Sequence, residues 1–164
     1  MRKAIGLIPT RLESKRLPGK ALLDLDGLPM IVHTAKRAQL SKYLKDVYVC
    51  TDSNEIIKVC KKNNIKTIKN NKNFNNGTER IASVAKKINE KIIIDIQGDE
   101  PLIKPSYIDK LVKIHTKHKL RPEIIIPSIE TNYTADDTNV RVLSSLSGRI
   151  MYLSRARVPH QYKE

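Results

Sequence analysis

The sequence predicts an α/β fold in which a mostly parallel sheet is flanked by helices, with a β-hairpin near the C-terminus. Short apolar runs alternate with segments whose apolar residues recur at helical spacing. Such alternation favours βαβ units with right-handed crossovers. Beyond about residue 140 the pattern changes, because two apolar runs flank Ser147-Gly148, as is typical of a hairpin.

Five strands are predicted from short apolar runs. The first is apolar throughout and stops before Pro9, which cannot donate a hydrogen bond to a sheet. The fourth, a run of isoleucines interrupted by Asp95, is the strongest strand pattern in the sequence. The predicted strands are residues 4–8, 47–50, 66–68, 92–96 and 124–126.

Four helices are predicted between these strands, because apolar residues recur there with a period of three to four. Asp52 followed by Glu55 resembles a capping signal for the second helix. Asn76 with Glu79 has the same spacing before the third helix. The predicted starts are Met30, Asp52, Asn76 and Ser106.

Length and composition indicate one globular domain without a membrane segment. The chain has 164 residues, of which 40% are hydrophobic, and no apolar run approaches the roughly 20 residues that span a bilayer. Cys50 and Cys60 are too few for a disulfide framework and lack metal-ligand spacing, so we expect buried, inert thiols. We expect the protein to remain in the cytoplasm.

The net charge of +14 leaves two interpretations open. A positive field attracts phosphate-rich partners, but the excess is mostly lysine spread over predicted helix surfaces. Aromatic residues make up 4% of the chain, and no RNA-recognition or zinc-finger pattern is present. We therefore predict no nucleic-acid partner and attribute most of the charge to solvated surfaces.

A cationic loop follows the first predicted strand. Arg11, Lys15, Arg16 and Lys20 lie within ten residues, and Pro18-Gly19 shapes a turn before the last of them. Ligands of parallel sheets bind at the carboxyl ends of the strands, so this position favours a phosphate site over a solvated turn. The loop contains neither the P-loop nor the dinucleotide-binding glycine pattern.

Two other loops carry polar groups at the same predicted edge. Residues 97–101, Gln-Gly-Asp-Glu-Pro, end the strongest strand, and two carboxylates there could hold a hard cation such as Mg2+ or merely form a polar turn. Residues 77–80, Gly-Thr-Glu-Arg, open a helix whose N-terminus could accept an anion or a polar ligand.

Together, and in this order, the three loops resemble those of the 3-deoxy-manno-octulosonate (Kdo) cytidylyltransferases, the CMP-Kdo synthetases. The first reads Pro-x-Arg-x-x-Ser-x-Arg-Leu-Pro-Gly-Lys over residues 9–20. Similar segments at residues 27–31, 50–52 and 152–156 extend the resemblance over nearly the whole chain. Sialic-acid cytidylyltransferases share an opening loop of this type but lack the Gln-Gly-Asp-Glu-Pro segment.

The resemblance implies a Rossmann-like nucleotidyltransferase fold and a role for residues of each loop. Arg11 and Lys20, with Arg16 nearby, would bind the CTP phosphates. Asp99 would hold Mg2+, and with Arg11 and Lys20 would form the catalytic set. The residues that would frame the cytidine are Leu7, Pro9, Gly77, Thr78 and Arg80. The residues that would contact the sugar acid are Gln97 and Arg155.

The reaction implied is attack of the anomeric hydroxyl of Kdo on the α-phosphorus of CTP. It would give CMP-Kdo and pyrophosphate for lipopolysaccharide synthesis. Three segments depart from the family's pattern: Thr10 replaces a usual alanine, Asp95 replaces a usual asparagine, and Asn75-Asn76-Gly77-Thr78 replaces a more usual Ser-Gly-Thr approach. The family also continues beyond the equivalent of Glu164, so residues 1–164 are expected to be a single domain truncated at its C-terminal end, and a homodimer at full length.

Two alternatives remain open at this stage. The sugar acid could be a relative of Kdo, such as its 8-amino form or a nonulosonate, since the nucleotide motifs do not separate these substrates. The chain could also be a truncated nucleotide- or nucleic-acid-binding module without catalysis. Nucleic-acid binding would weaken steeply with salt, whereas a CTP pocket would discriminate against ATP.

Overall fold

The computed structural model describes residues 4–14, 17–71, 74, 76–118, 122–130, 139–156 and 158. The chain divides into two compact units, Met1–Glu123 and Ile124–Glu164. The prediction of one domain over residues 1–164, truncated at its C-terminal end, stays a prediction.

The elements confirm the alternation predicted from the sequence. The strands are β1 (Ala4–Pro9), β2 (Asp24–Leu25), β3 (Leu28–Pro29), β4 (Leu44–Thr51), β5 (Lys66–Lys69), β6 (Ile93–Asp95), β7 (Arg141–Ser144) and β8 (Ile150–Ser154). The helices are α1 (Met30–Gln39), α2 (Asn54–Lys62), α3 (Gly77–Ala85) and α4 (Pro105–Lys117), with a short 3-10 helix at Lys20–Leu22.

A four-stranded parallel sheet with the order β5-β4-β1-β6 lies at the centre of the first unit. Strand β1 is apolar on both faces because it is an inner strand covered on both sides. Ala4 and Ile8 belong to a core shared with α1, α2 and α4, whereas Ile5 and Leu7 pack with α3. Successive strand residues point to opposite faces, so α3 covers one face of the sheet and the other three helices cover the opposite face.

Strand β4 is longer than predicted, and the N-cap of the second helix lies one residue later than predicted. Lys45 and Asp46 obscure the start of β4 in the sequence, yet the strand pairs with β1 from Leu44 onward. The N-cap of α2 is Ser53, whose side chain accepts a hydrogen bond from the Ile56 N–H. The cap predicted at Asp52 is therefore wrong. The cap predicted at Asn76 for α3 is confirmed.

The predicted strand at residues 124–126 is wrong. These residues form no strand in the described part of the chain, and Ile124 is exposed. Strand propensity is realised only when a neighbouring strand completes the hydrogen-bond ladder, and no such neighbour pairs with this run among the described residues.

The predicted hairpin of the second unit is confirmed. Strands β7 and β8 pair antiparallel, with Arg141 opposite Ser154 and Leu143 opposite Tyr152. The turn closes through a hydrogen bond from the Ser145 N–H to the Arg149 carbonyl. None of the described helices is both long enough and apolar enough to cross a membrane.

Candidate active site

The carboxyl ends of β1, β4, β5 and β6 lie at one edge of the parallel sheet, which here is termed the carboxyl edge. The cationic loop leaves β1 at this edge, Asp52 follows β4, and Gln97-Gly98-Asp99 follows β6. The N-terminus of α3 reaches the same edge, because Gly77 packs against the Pro9 ring. A Cβ at residue 77 would lie 3.0 Å from Pro9 Cγ, so glycine permits this approach.

The cationic loop and residues 97–101, termed the acidic turn, meet at an ion pair. Lys20 Nζ donates a hydrogen bond to Asp99 Oδ2 at 2.7 Å, although 79 residues separate them in the chain. Both side chains are partly exposed, at 38% and 51%. Such a pair contributes at most about 1 kcal/mol, so incoming phosphates could readily take over the lysine. The structure thus brings together two predicted catalytic residues, while their roles in catalysis stay predictions.

Gly98 holds the acidic turn tightly against the end of β1. A Cβ at residue 98 would lie 2.5 Å from Thr10 Oγ1 and 2.9 Å from the Pro9 carbonyl oxygen. On its other side, the Gly98 carbonyl accepts from the hydroxyl of the buried Thr34, which also contacts the Met30 carbonyl. Only glycine fits between these groups, and the position of Asp99 is fixed as a result.

The hydroxyl of Thr10 is buried without a partner. Thr10 is 7% exposed, and its Oγ1 is the buried side-chain polar atom that lacks a hydrogen bond among the described residues. A buried unpaired hydroxyl is unfavourable by about 1–3 kcal/mol. The residue stands where the resembled family usually has alanine, which would carry no such group.

Arg80 is engaged inside the protein. Its guanidinium donates to Asp52 Oδ2 at 2.6 Å and to the Asn70 carbonyl at 3.2 Å, and it lies 5.2 Å from the centre of the Phe74 ring. Its side chain is only 6% exposed. Sequence reasoning missed the role of Asp52 by treating it as a helix cap. The available signal was an acidic residue and an arginine at the same predicted sheet edge.

Gln97 is exposed beside Asp95, to which its amide donates a hydrogen bond at 3.1 Å. Asp95 is itself exposed, but nearby protein atoms partly desolvate its carboxyl and raise its pKa above the usual value, and the hydrogen bond from Gln97 partly counteracts this rise. The predicted sugar-acid residue therefore has a carboxyl group as its neighbour, where the resembled family usually has an amide.

The other predicted site residues lie at different depths. Leu7 is fully buried in the core beneath the carboxyl edge, and its carbonyl accepts from the Ile96 N–H. Arg11 and Thr78 are exposed at that edge. Arg16 lies outside the described residues. Arg155 belongs to the second unit and is exposed directly after β8.

The acidic turn fits a magnesium ion bound mainly through substrate oxygens. No group of three or more His, Cys, Asp or Glu side chains gathers within the described ranges. Mg2+ commonly uses one or two carboxylates and takes its remaining ligands from phosphates and water. Asp99, exposed and already facing the Lys20 ammonium, is the carboxylate that would hold it.

The sheet and its carboxyl edge define an α/β nucleotidyltransferase. The fold matches the solved structure of CMP:2-keto-3-deoxy-manno-octonic acid synthetase complexed with CTP, with a TM-score of 0.83 and 31% identity. That match covers 96% of this chain and 66% of the other. A nucleotidyl transferase from Methanothermobacter thermautotroptrophicus matches 69% of this chain and 58% of its own, with a TM-score of 0.60 and 16% identity, which shows the fold alone.

The family model for cytidylyltransferases matches residues 5–164, and this chain belongs to that family. It is 35% identical to 3-deoxy-manno-octulosonate cytidylyltransferase from Chloroherpeton thalassium, over 97% of this chain and 66% of the relative. It is also 36% identical to 8-amino-3,8-dideoxy-manno-octulosonate cytidylyltransferase from Shewanella pealeana, over 93% and 65%. The chain therefore spans about two thirds of the length of these curated relatives, and the resemblance inferred from its motifs is confirmed.

Proposed function

We propose that this protein transfers CMP from CTP to the anomeric hydroxyl of Kdo, giving CMP-Kdo and pyrophosphate. The observation that carries the proposal is the contact between Lys20 and Asp99, which joins the cationic loop to the acidic turn at the carboxyl edge. The relative from Chloroherpeton thalassium, named for this sugar acid, supports the choice of acceptor.

In this proposal the chain acts mainly through alignment and charge neutralisation, as is usual in phosphoryl-type transfer. Lys20 and Arg11 would neutralise oxygens of the triphosphate, and Asp99 would hold Mg2+. When bound, the ion would supply further positive charge along the phosphates. The anomeric hydroxyl oxygen would form a bond to the α-phosphorus and lose its proton to solvent, and the bond from that phosphorus to the oxygen bridging to the β-phosphate would break, releasing pyrophosphate.

Binding of CTP would separate Lys20 from Asp99 and give each of them a new partner. The triphosphate would draw the Lys20 ammonium away from Asp99, and the freed carboxylate would face the metal that accompanies the nucleotide. This exchange requires a weak initial pair, as its exposure indicates. The cytidine would lie against Pro9 and the first turn of α3, where Gly77 and Thr78 are placed. Gln97 is the proposed contact of the sugar acid in the first unit, and the role of Arg155 in the second unit stays a prediction from the resemblance.

The test is a pyrophosphate-release assay with CTP, Mg2+ and Kdo, on this chain and on a version extended to the length of its relatives. Lys20→Ala and Asp99→Ala should each abolish turnover and leave the circular dichroism spectrum unchanged. Lys45→Ala is the matched control, because Lys45 also forms a partly exposed ion pair, with Glu90, at the opposite edge of the sheet. Full activity in both site variants would remove the assignment.

A related sugar acid is the second candidate, since the Shewanella pealeana relative is named for 8-amino-3,8-dideoxy-manno-octulosonate. Product analysis with Kdo, its 8-amino form and a nonulosonate would rank the acceptors. CTP binding without pyrophosphate release by either version would instead indicate a nucleotide-binding module. We further propose a cytoplasmic location, which cell fractionation would test. We also propose a homodimer at full length, which size-exclusion chromatography with light scattering would test.

A further inference from the structure

Asp52 neutralises a charge that lies inside the protein. The Arg80 side chain is 6% exposed, and Asp52 Oδ2 accepts from its Nη2 at 2.6 Å. An ionised group taken out of water is strongly unfavourable unless an opposite charge compensates it. Among the described residues, Asp52 is the acidic partner that the structure gives to this guanidinium.

The same guanidinium joins three segments of the carboxyl edge. Asp52 follows β4, and Asn70, whose carbonyl accepts from Arg80 Nη1 at 3.2 Å, follows β5. Phe74 stacks on the guanidinium from the segment before α3. Arg80 itself belongs to the first turns of α3. The orientation of α3 at its N-terminal end is thus tied to β4 and β5 through one side chain.

That end of α3 is the part proposed to frame the cytidine. Gly77 contacts the Pro9 ring, and Thr78 is exposed beside it. Arg80 is too deeply buried to offer most of its surface to a nucleotide. Its effect on binding would therefore be exerted through the backbone that it holds in place.

We propose that Asp52 is a positioning residue for CTP: it fixes Arg80, and through Arg80 the first turn of α3, without touching the nucleotide. This inference rests on the proposed function, because it assigns the α3 turn to cytidine binding. It gives Asp52 a part in substrate affinity, in addition to stability.

The test variant removes the negative charge of Asp52 and keeps the shape of its side chain. In Asp52→Asn the amide oxygen can still accept from Arg80, but the buried cation loses its counter-charge and the α3 turn should shift. Loss of one or two hydrogen bonds between that turn and CTP would raise the KM for CTP about tenfold. The kcat should fall by less than about twofold, because binding is weakened before and during the reaction alike. Calorimetry should show the same loss in the Kd for CTP.

Two variants complete the design. Asp46→Asn is the matched control, because Asp46 forms an ion pair with Lys66 at 2.6 Å and is similarly exposed, 28% against 36% for Asp52. It should leave the KM unchanged. Asp52→Glu keeps the charge and should restore most of the CTP affinity. If Asp52→Asn does not fold, Arg80→Lys is the test variant, because a lysine keeps the positive charge beside Asp52 but cannot reproduce the two separate bonds to Asp52 and to the Asn70 carbonyl. A KM equal to that of the unaltered chain together with lowered thermal stability in that variant would overturn the proposal.

The outcomes separate this inference from the proposed function. If the unaltered protein binds CTP no better than ATP and releases no pyrophosphate, the proposed function fails. If it binds CTP selectively and Asp52→Asn binds CTP equally well, only the positioning role of Asp52 fails. A lower melting temperature with an unchanged KM would assign Asp52 to stability alone.

Discussion

Because the buried hydroxyl of Thr10 has no hydrogen-bond partner among the described residues, we expect its replacement to stabilise the protein, whereas most core substitutions are destabilising. Replacing it by the methyl group of valine keeps the side-chain shape and removes the unpaired polar group. Because an unpaired buried hydroxyl is unfavourable by about 1–3 kcal/mol, and the new methyl must fit beside Gly98, we expect Thr10→Val to raise the free energy of unfolding by about 1–2 kcal/mol. For a chain of this size that corresponds to a rise of about 2–8 °C in Tm.

Two comparisons isolate the hydroxyl. Thr10→Ser keeps the oxygen and loses a methyl group, which should lower stability by about 1 kcal/mol. Thr34→Val is the matched control, because Thr34 is also buried but its hydroxyl bonds the Met30 and Gly98 carbonyls. It should be destabilising by about 1–2 kcal/mol, since two carbonyls lose a donor.

The assay is urea unfolding followed by circular dichroism, with midpoints compared at a common slope. An increase for Thr10→Val beside a decrease for Thr34→Val supports the reasoning. If Thr10→Val loses as much stability as Thr34→Val, the hydroxyl has a partner in solution and the argument is refuted.

Two more predictions concern Gly98 and the buried cysteines. Gly98→Ala should lower the free energy of unfolding by about 1–3 kcal/mol. Adding Thr10→Ala should recover only part of that loss, because the Pro9 carbonyl oxygen still lies 2.9 Å from the new methyl group. Full recovery of stability in urea unfolding would contradict this expectation. Burial raises the pKa of Cys50 to about 12 and of Cys60 to about 11, so a thiol reagent at pH 8 should label neither in the native protein and both in urea. Both folded-state pKa values exceed the ordinary 9.0, so the folded state retains these protons longer and stability should fall as the pH rises from 9 toward 12. Cys50→Ala should show a shallower fall over that range, and an unchanged slope would count against the burial argument.

Much of the fold could be predicted because, in the first unit, the short-range sequence patterns agree with the way the elements pack. Strand β1 is apolar on both faces, as an inner parallel strand must be. The Asn76 cap of α3 and the helix at Met30–Gln39 were visible as short-range patterns. Residues 124–126 carried an equally good strand pattern, but propensity cannot indicate whether a partner strand lies alongside.

The candidate site was predictable in outline and not in its contacts. The parallel topology places the cationic loop and the acidic turn at one edge, which made an approach of Lys20 to Asp99 foreseeable. The bond between Asp52 and Arg80 was indicated only by the place of both residues at the same predicted sheet edge, and spacing along the chain alone could not distinguish it from a helix cap at Asp52. The close contact between Gly98 and Thr10 depends on distances below 3 Å, which no sequence pattern encodes.

The pairing of Asp52 with Arg80 also restricts how the protein can change over generations. Loss of either partner alone leaves the other charged group without its counter-charge. When Arg80 is the residue that remains, the uncompensated charge lies in the protein interior. A lineage that replaces both with apolar groups must therefore pass through a poorly tolerated intermediate, unless the arginine is lost first. The order of substitution is then constrained: the path in which Arg80→Met comes first passes through a better tolerated intermediate than the path in which Asp52→Ala comes first, because Asp52 is the more exposed partner.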